Sequence, residues 1–84
     1  MSKKYELLVD DKITFLGIEL FRIKALISFG SVAKGDLGGY IEKEENLSLY
    51  GNAWVSGNAR VYGNAEVSGN AVVSGDAVVM LVSI

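Results

Sequence analysis

The sequence contains no cysteine, no proline and no histidine. The first absence removes disulfides, thiolate metal sites and cysteine nucleophiles. The second, together with the lack of any long polar stretch, argues against two domains on a flexible linker. The third removes the commonest general base. Threonine occurs only as Thr14, so the regular threonine ladder of an ice-binding face cannot be built. A net charge of -2 provides no basic footprint for nucleic acid. It is also far too small for an acidic nucleic-acid mimic. The longest apolar run, AVVMLVSI, falls well short of the roughly 20 residues of a membrane helix. The opening MSKKYELLVDD has two lysines but no apolar stretch after them, unlike a signal peptide. One soluble, cytoplasmic domain of 84 residues is the expectation, with no membrane partner.

What is present is unevenly distributed. Residues 1–50 carry fifteen of the eighteen charged side chains, and residues 51–84 carry only Arg60, Glu66 and Asp76. The charge-poor half is a surface more often covered than left in water. In the charged half, YELLV, DDK and ITFLG suggest a hairpin that turns at Asp10 and Asp11. IELFRIKALI alternates Phe21, Ile23 and Ala25 with Arg22 and Lys24, the period of a half-buried strand. A helical face through Leu20, Ile23 and Ile27 competes, but β-branched and aromatic residues favour the strand. GSVAKGDLGGYIEKEEN reads as a loop-rich junction with Val32, Leu37, Tyr40 and Ile41 tucked inward. Gly35, Gly38 and Gly39 are expected at turns with positive φ. GDLGG lacks the GK[ST] ending and following helix of a phosphate-binding loop.

From Gly51 to Met80 the chain repeats one unit: GNAWVS, GNARVY, GNAEVS, GNAVVS, GDAVVM. Strand alternation points Ala53 and Val55 inward and Trp54 and Ser56 outward. The inward set continues through Ala59, Val61, Ala65, Val67, Ala71, Val73, Ala77 and Val79. The corners fall at Gly57 and Asn58, Gly63 and Asn64, and Gly69 and Asn70, residue types that tolerate left-handed backbone. ENLSLY is a degenerate earlier unit with Leu47 and Leu49 inward, and before it the pattern fails at Lys43. The expected core is thus Leu47, Leu49, Val55, Val61, Val67 and Val73. Such regularity is the mark of a solenoid, in which each unit lies over an equivalent one.

The V-S-G-N-A-R pattern resembles the hexapeptide repeat of left-handed β-helices, an aliphatic residue followed by turn residues and a small one. Over roughly residues 5–80 the chain resembles bacterial and phage proteins with GNA-type repeats, a transferase-like group. Those proteins open with a hairpin, an LFRIKAL-like strand and a GDLGGYIEKEENLS-like junction. The resemblance implies an all-β fold: a short left-handed parallel β-helix of about two coils over 45–84. Residues 1–44 would form a hairpin, strand and Gly-rich cap within the same compact domain. With three units to a coil, Trp54 lies over Val72, Arg60 over Val78, Tyr62 over Met80 and Ser48 over Glu66.

The chemistry available is sparse. The hexapeptide-repeat acyltransferases use a histidine base in a cleft between trimer subunits, and this chain has none, so a reduced acyltransferase relative is the weakest reading. Asp10 with Asp11, and Glu42 with Glu44 and Glu45, are carboxylate groups that a hard cation can use weakly, but solvated loop charges are the plainer account. Ser56, Ser68 and Ser74 have no base nearby in sequence and read as surface ladder residues. No catalytic residue, metal site or cofactor is expected. The leading reading is a non-catalytic, self-associating solenoid module. The alternative is a small phage-encoded inhibitor that blocks a host protein or sequesters a small ligand. The interface candidates are Trp54 with Val72, Tyr62 with Met80, and the apolar tail Val79, Leu81, Val82 and Ile84. For Trp54 two readings stay open: the N-terminal segment packs over it, or it anchors an interface.

Overall fold

Strands β1 (Tyr5–Phe15) and β2 (Ile18–Ala25) form an antiparallel hairpin. The turn is at Leu16 and Gly17, with φ of 53° and 79°. Positive φ at both central residues suits the right-handed twist of the flanking strands. The hairpin therefore does not turn at Asp10 and Asp11, as the sequence suggested. Those residues lie in a bulge where Leu8 pairs with Arg22 and Lys12 with Phe21, leaving Val9, Asp10 and Asp11 unpaired. An odd number of extra residues reverses the faces of a strand. Tyr5 and Leu7 accordingly join one apolar cluster, and Ile13 and Phe15 the other.

The computed structural model describes residues 3–81. After the hairpin come β3 (Leu37–Ile41), a 3-10 turn (Glu44–Asn46), and short strands β4 (Trp54–Val55), β5 (Arg60–Gly63), β6 (Val72–Val73) and β7 (Val78–Leu81). They make a mixed five-stranded sheet in the order β1-β2-β3-β5-β7 and a two-stranded parallel sheet of β4 and β6.

This corrects the expected architecture. The chain does not build a short left-handed β-helix of about two coils behind a cap, and neither sheet closes. The N-terminal strands belong to the same sheet as the repeat, because β3 pairs in parallel with β5. A third sheet does not form among the described residues: ENLSLY and GNAEVS meet at a single bridge, Leu47 to Val67. The register also changes along the chain. β4 pairs with β6, and β5 with β7, at a spacing of eighteen residues, as in Trp54 to Val72 and Arg60 to Val78. Leu47 pairs with Val67, and Tyr40 with Arg60, at twenty. Ser48 is therefore displaced from Glu66, and its N–H donates to the Val67 carbonyl instead.

The main core lies on one face of the five-stranded sheet and includes Ile23, Ile41, Leu47, Val55, Val61 and Val67. Leu20, Tyr40 and Tyr62 form a smaller cluster on the opposite face. The expected inward set splits along its length. Ala53, Val55, Ala59, Val61, Ala65 and Val67 are buried, Leu49, Val73 and Val79 are half-buried, and Ala71 and Ala77 are exposed. In the junction Tyr40 and Ile41 are buried as expected, Val32 is half-buried, and Leu37 is exposed.

Gly38 and Gly39 serve close approach rather than turning. A Cβ on Gly38 would lie 2.5 Å from the Val55 carbonyl oxygen, and one on Gly39 would lie 2.6 Å from that of Ala59. Gly35 does take a positive φ, of 95°. At the repeat corners glycine alone is left-handed, as at Gly57 and Gly69, both with φ 64°. Asn58, Asn64 and Asn70 are not among the positive-φ residues.

Candidate functional site

The outer faces of the paired repeat strands show which expected interface residues are free. In each pair the first member is covered and the second open. Trp54 is only 4% exposed, whereas Val72 beside it is 60% exposed. Phe29 supplies the cover, edge-on to Trp54 with ring centroids 5.3 Å apart. Tyr62 is buried against Phe15, centroids 5.8 Å apart, while its strand partner Met80 is 51% exposed. Arg60 stacks its guanidinium 4.8 Å from the Phe15 ring, and Val78 next to it is exposed. The N-terminal half thus covers Trp54 and Tyr62, which sequence alternation placed outward. Leu81 ends β7. Val82 and Ile84 lie outside the described residues.

β6 and β7 are the terminal strands of their sheets. Among the described residues nothing pairs with their second edges. This is also why Ala71 and Ala77 are exposed although Ala53 and Ala59, at the same phase eighteen residues earlier, are fully buried.

Three polar residues that sequence reading missed tie the N-terminal segment, the junction and the repeat together. Asn46 is fully buried, and its Oδ1 accepts from the N–H groups of Glu42 and Lys43. Its Nδ2 donates to the carbonyls of Gly63 and Ala65. The Tyr5 hydroxyl donates to the Leu47 carbonyl at 2.6 Å. Burial, then the nearby Glu44 and Glu45 charges, push its phenol well above its ordinary pKa. Lys4 is buried, donates to the Ala53 carbonyl at 2.7 Å and lies 4.9 Å from the Phe29 ring centre. Desolvation lowers its pKa. Asn, Tyr and Lys are common on surfaces, and the carbonyls they satisfy lie some forty residues away for Tyr5 and Lys4, so no local pattern marks them.

The acidic residues do not converge. Asp11 approaches Arg22, Glu42 accepts from the Gly63 N–H, and Glu44 pairs with Lys3. Among the described residues no cluster of three His, Cys, Asp or Glu side chains is arranged to hold a metal. No helix among them is long and apolar enough to cross a membrane.

A cavity of about 510 Å³ opens between the Gly30–Leu37 loop and the outer face of β4 and β6. Val32, Leu37, Trp54 and Val72 provide its apolar walls. Asp36 with the carboxamide residues Asn52 and Asn70 provides polar ones, joined by Ser31 and Ser56. Two of the expected interface residues, Trp54 and Val72, therefore meet in one concavity. No protein-family model matches the chain, and no curated protein matches it.

Proposed function

We propose that this chain is a non-catalytic, self-associating β-sheet module whose binding element is the free edge of β7. One observation carries the reading. Among the described residues β7 ends the five-stranded sheet, and its outward residues Val78 and Met80 are 48% and 51% exposed. Folded proteins usually protect such an edge with lysine, proline, a bulge or a covering segment. Val78, Val79, Met80 and Leu81 include no charge and no proline.

The strand is also self-complementary. Antiparallel pairing of β7 with a second copy, centred on Val79, keeps each side chain on its own face. Val78 then lies across from the partner's Met80, and Val79 from the partner's Val79. That register packs Val78 beside the partner's Met80 and pairs main-chain groups that have no partner among the described residues, joining two five-stranded sheets into one.

Light scattering on the purified protein tests the proposal. A dimer or larger species at micromolar concentration is expected, and Met80→Lys should shift it toward monomer with little change in melting temperature. A wild-type protein that stays monomeric under these conditions overturns it.

A further inference from the structure

We propose that the cavity between the Gly30–Leu37 loop and the outer face of β4 and β6 binds a small cationic organic molecule, an ammonium group on an apolar frame. The site lies on the two-stranded sheet, away from the β7 edge, and does not depend on self-association.

The charge of the lining sets the ligand's sign. Among the described residues Asp36 is the only charged side chain that lines the cavity, and no lysine or arginine does. A phosphate or carboxylate would meet that aspartate with no counter-charge. Asp36 is itself exposed, and an ammonium would meet it as an attractive partner beside the apolar walls of Val32, Leu37 and Val72. Asp36 is held by its Oδ2, which accepts a 2.9 Å hydrogen bond from the Ala33 N–H.

The aromatic chemistry of the molecule agrees. Cations lie 4.9, 4.5 and 4.8 Å from the ring centres of Phe29, Tyr40 and Phe15, supplied by Lys4, Arg22 and Arg60. Tryptophan is the strongest cation–π partner of all, yet among the described residues no cation lies over Trp54. Its indole N–H also finds no acceptor among them. Arg60 Nε is the only fully enclosed side-chain nitrogen or oxygen there without a partner, so the indole N–H must keep contact with open space. Trp54, 4% exposed and packed edge-on by Phe29, offers the ligand the edge of an aromatic wall; its N–H can only donate and takes no part in holding the ammonium. The volume of about 510 Å³ sits within the range of roughly 300–1,000 Å³ common to small-molecule pockets.

Trp54 is the sole tryptophan of the chain and lines the cavity, so its fluorescence reports changes at that wall. The probes are three molecules of one frame: 2-phenylethylamine, 2-phenylethanol and 3-phenylpropanoate. The amine should give a saturable change in emission, the alcohol a weaker one, and the carboxylate should bind about tenfold or more weakly than the amine. Asp36→Asn, which keeps an oxygen to accept from Ala33, should abolish that preference. Val72→Lys, at an exposed position, should block the amine by placing a rival ammonium in the recess. No saturable change with any probe, equal affinity for amine and carboxylate, or a preference that survives Asp36→Asn would each overturn the proposal.

Discussion

Asn46 Nδ2 donates a 2.8 Å hydrogen bond to the carbonyl of Ala65, nineteen residues further along the chain. The same carboxamide donates to the Gly63 carbonyl and accepts from the N–H groups of Glu42 and Lys43, so one side chain satisfies four main-chain groups. It holds the junction after β3 against the repeat where an isolated bridge, Leu47 to Val67, stands in place of a strand ladder.

Removing that side chain leaves four main-chain groups without these bonds, the one to Ala65 buried and the others part-buried. Asn46→Ala should lower unfolding free energy by about 3–4 kcal/mol, measured by urea denaturation. Asn46→Asp keeps the acceptor but loses both donor bonds and buries a charge, so it should be no better than alanine. A loss below about 1 kcal/mol for both variants would show that Asn46 is not a brace.

Gly38 and Gly69 separate two reasons for glycine. A Cβ on Gly38 would strike the Val55 carbonyl oxygen and the Ile23 side chain, both at 2.5 Å. Gly38→Ala should therefore force β3 away from its neighbours and cost about 3 kcal/mol. Gly69 has a φ of +64°, but a Cβ there would meet nothing within 4 Å. Gly69→Ala should cost only the left-handed strain, about 1–2 kcal/mol. Thermal melts of the two variants side by side test the contrast, and equal losses would contradict it.

Tyr5 makes stability sensitive to alkali. Its folded pKa is raised above the ordinary value of 10.0, chiefly by burial and then by Glu44 and Glu45. Above pH 10.0 the unfolded chain releases this proton first while the folded chain retains it. The stabilisation is thus fully present below that pH and is lost as pH rises beyond it. Tyr5→Phe should be less stable at neutral pH by about 1–2 kcal/mol, because the Leu47 carbonyl loses its donor. Relative to wild type, the variant should lose less stability above pH 10.0, as read from denaturation midpoints across the range. Parallel curves for the two proteins would place the alkaline sensitivity elsewhere.

The local parts of the fold were readable from residue types. Alternation in IELFRIKALI marked β2, and the regular valines marked the strands that pair eighteen residues apart. The misreadings came from relations that no short window contains. Asp10 and Asp11 look like a turn, yet Leu16 adopts the positive φ that closes the hairpin, and the aspartates fall in the bulge that reverses the faces of β1. Trp54 and Tyr62 stand outward by alternation, yet Phe29 and Phe15 reach over them from the N-terminal half. The cavity was invisible for the same reason, since its walls come from segments some twenty to forty residues apart.

Composition and pattern by themselves determined a strand-forming chain with glycine corners and a stripe of alanine and valine, because alternation and positive φ are properties of single residues and their neighbours. The tertiary structure alone decided that β3 would pair with β5, and so that hairpin and repeat would share one mixed sheet. It also decided which equivalent residues are covered: Ala53 and Ala59 are enclosed, whereas Ala71 and Ala77 are exposed. Burial depends on what lies on the far side of a strand, and a repeating sequence carries the same residues whether or not a neighbour is there.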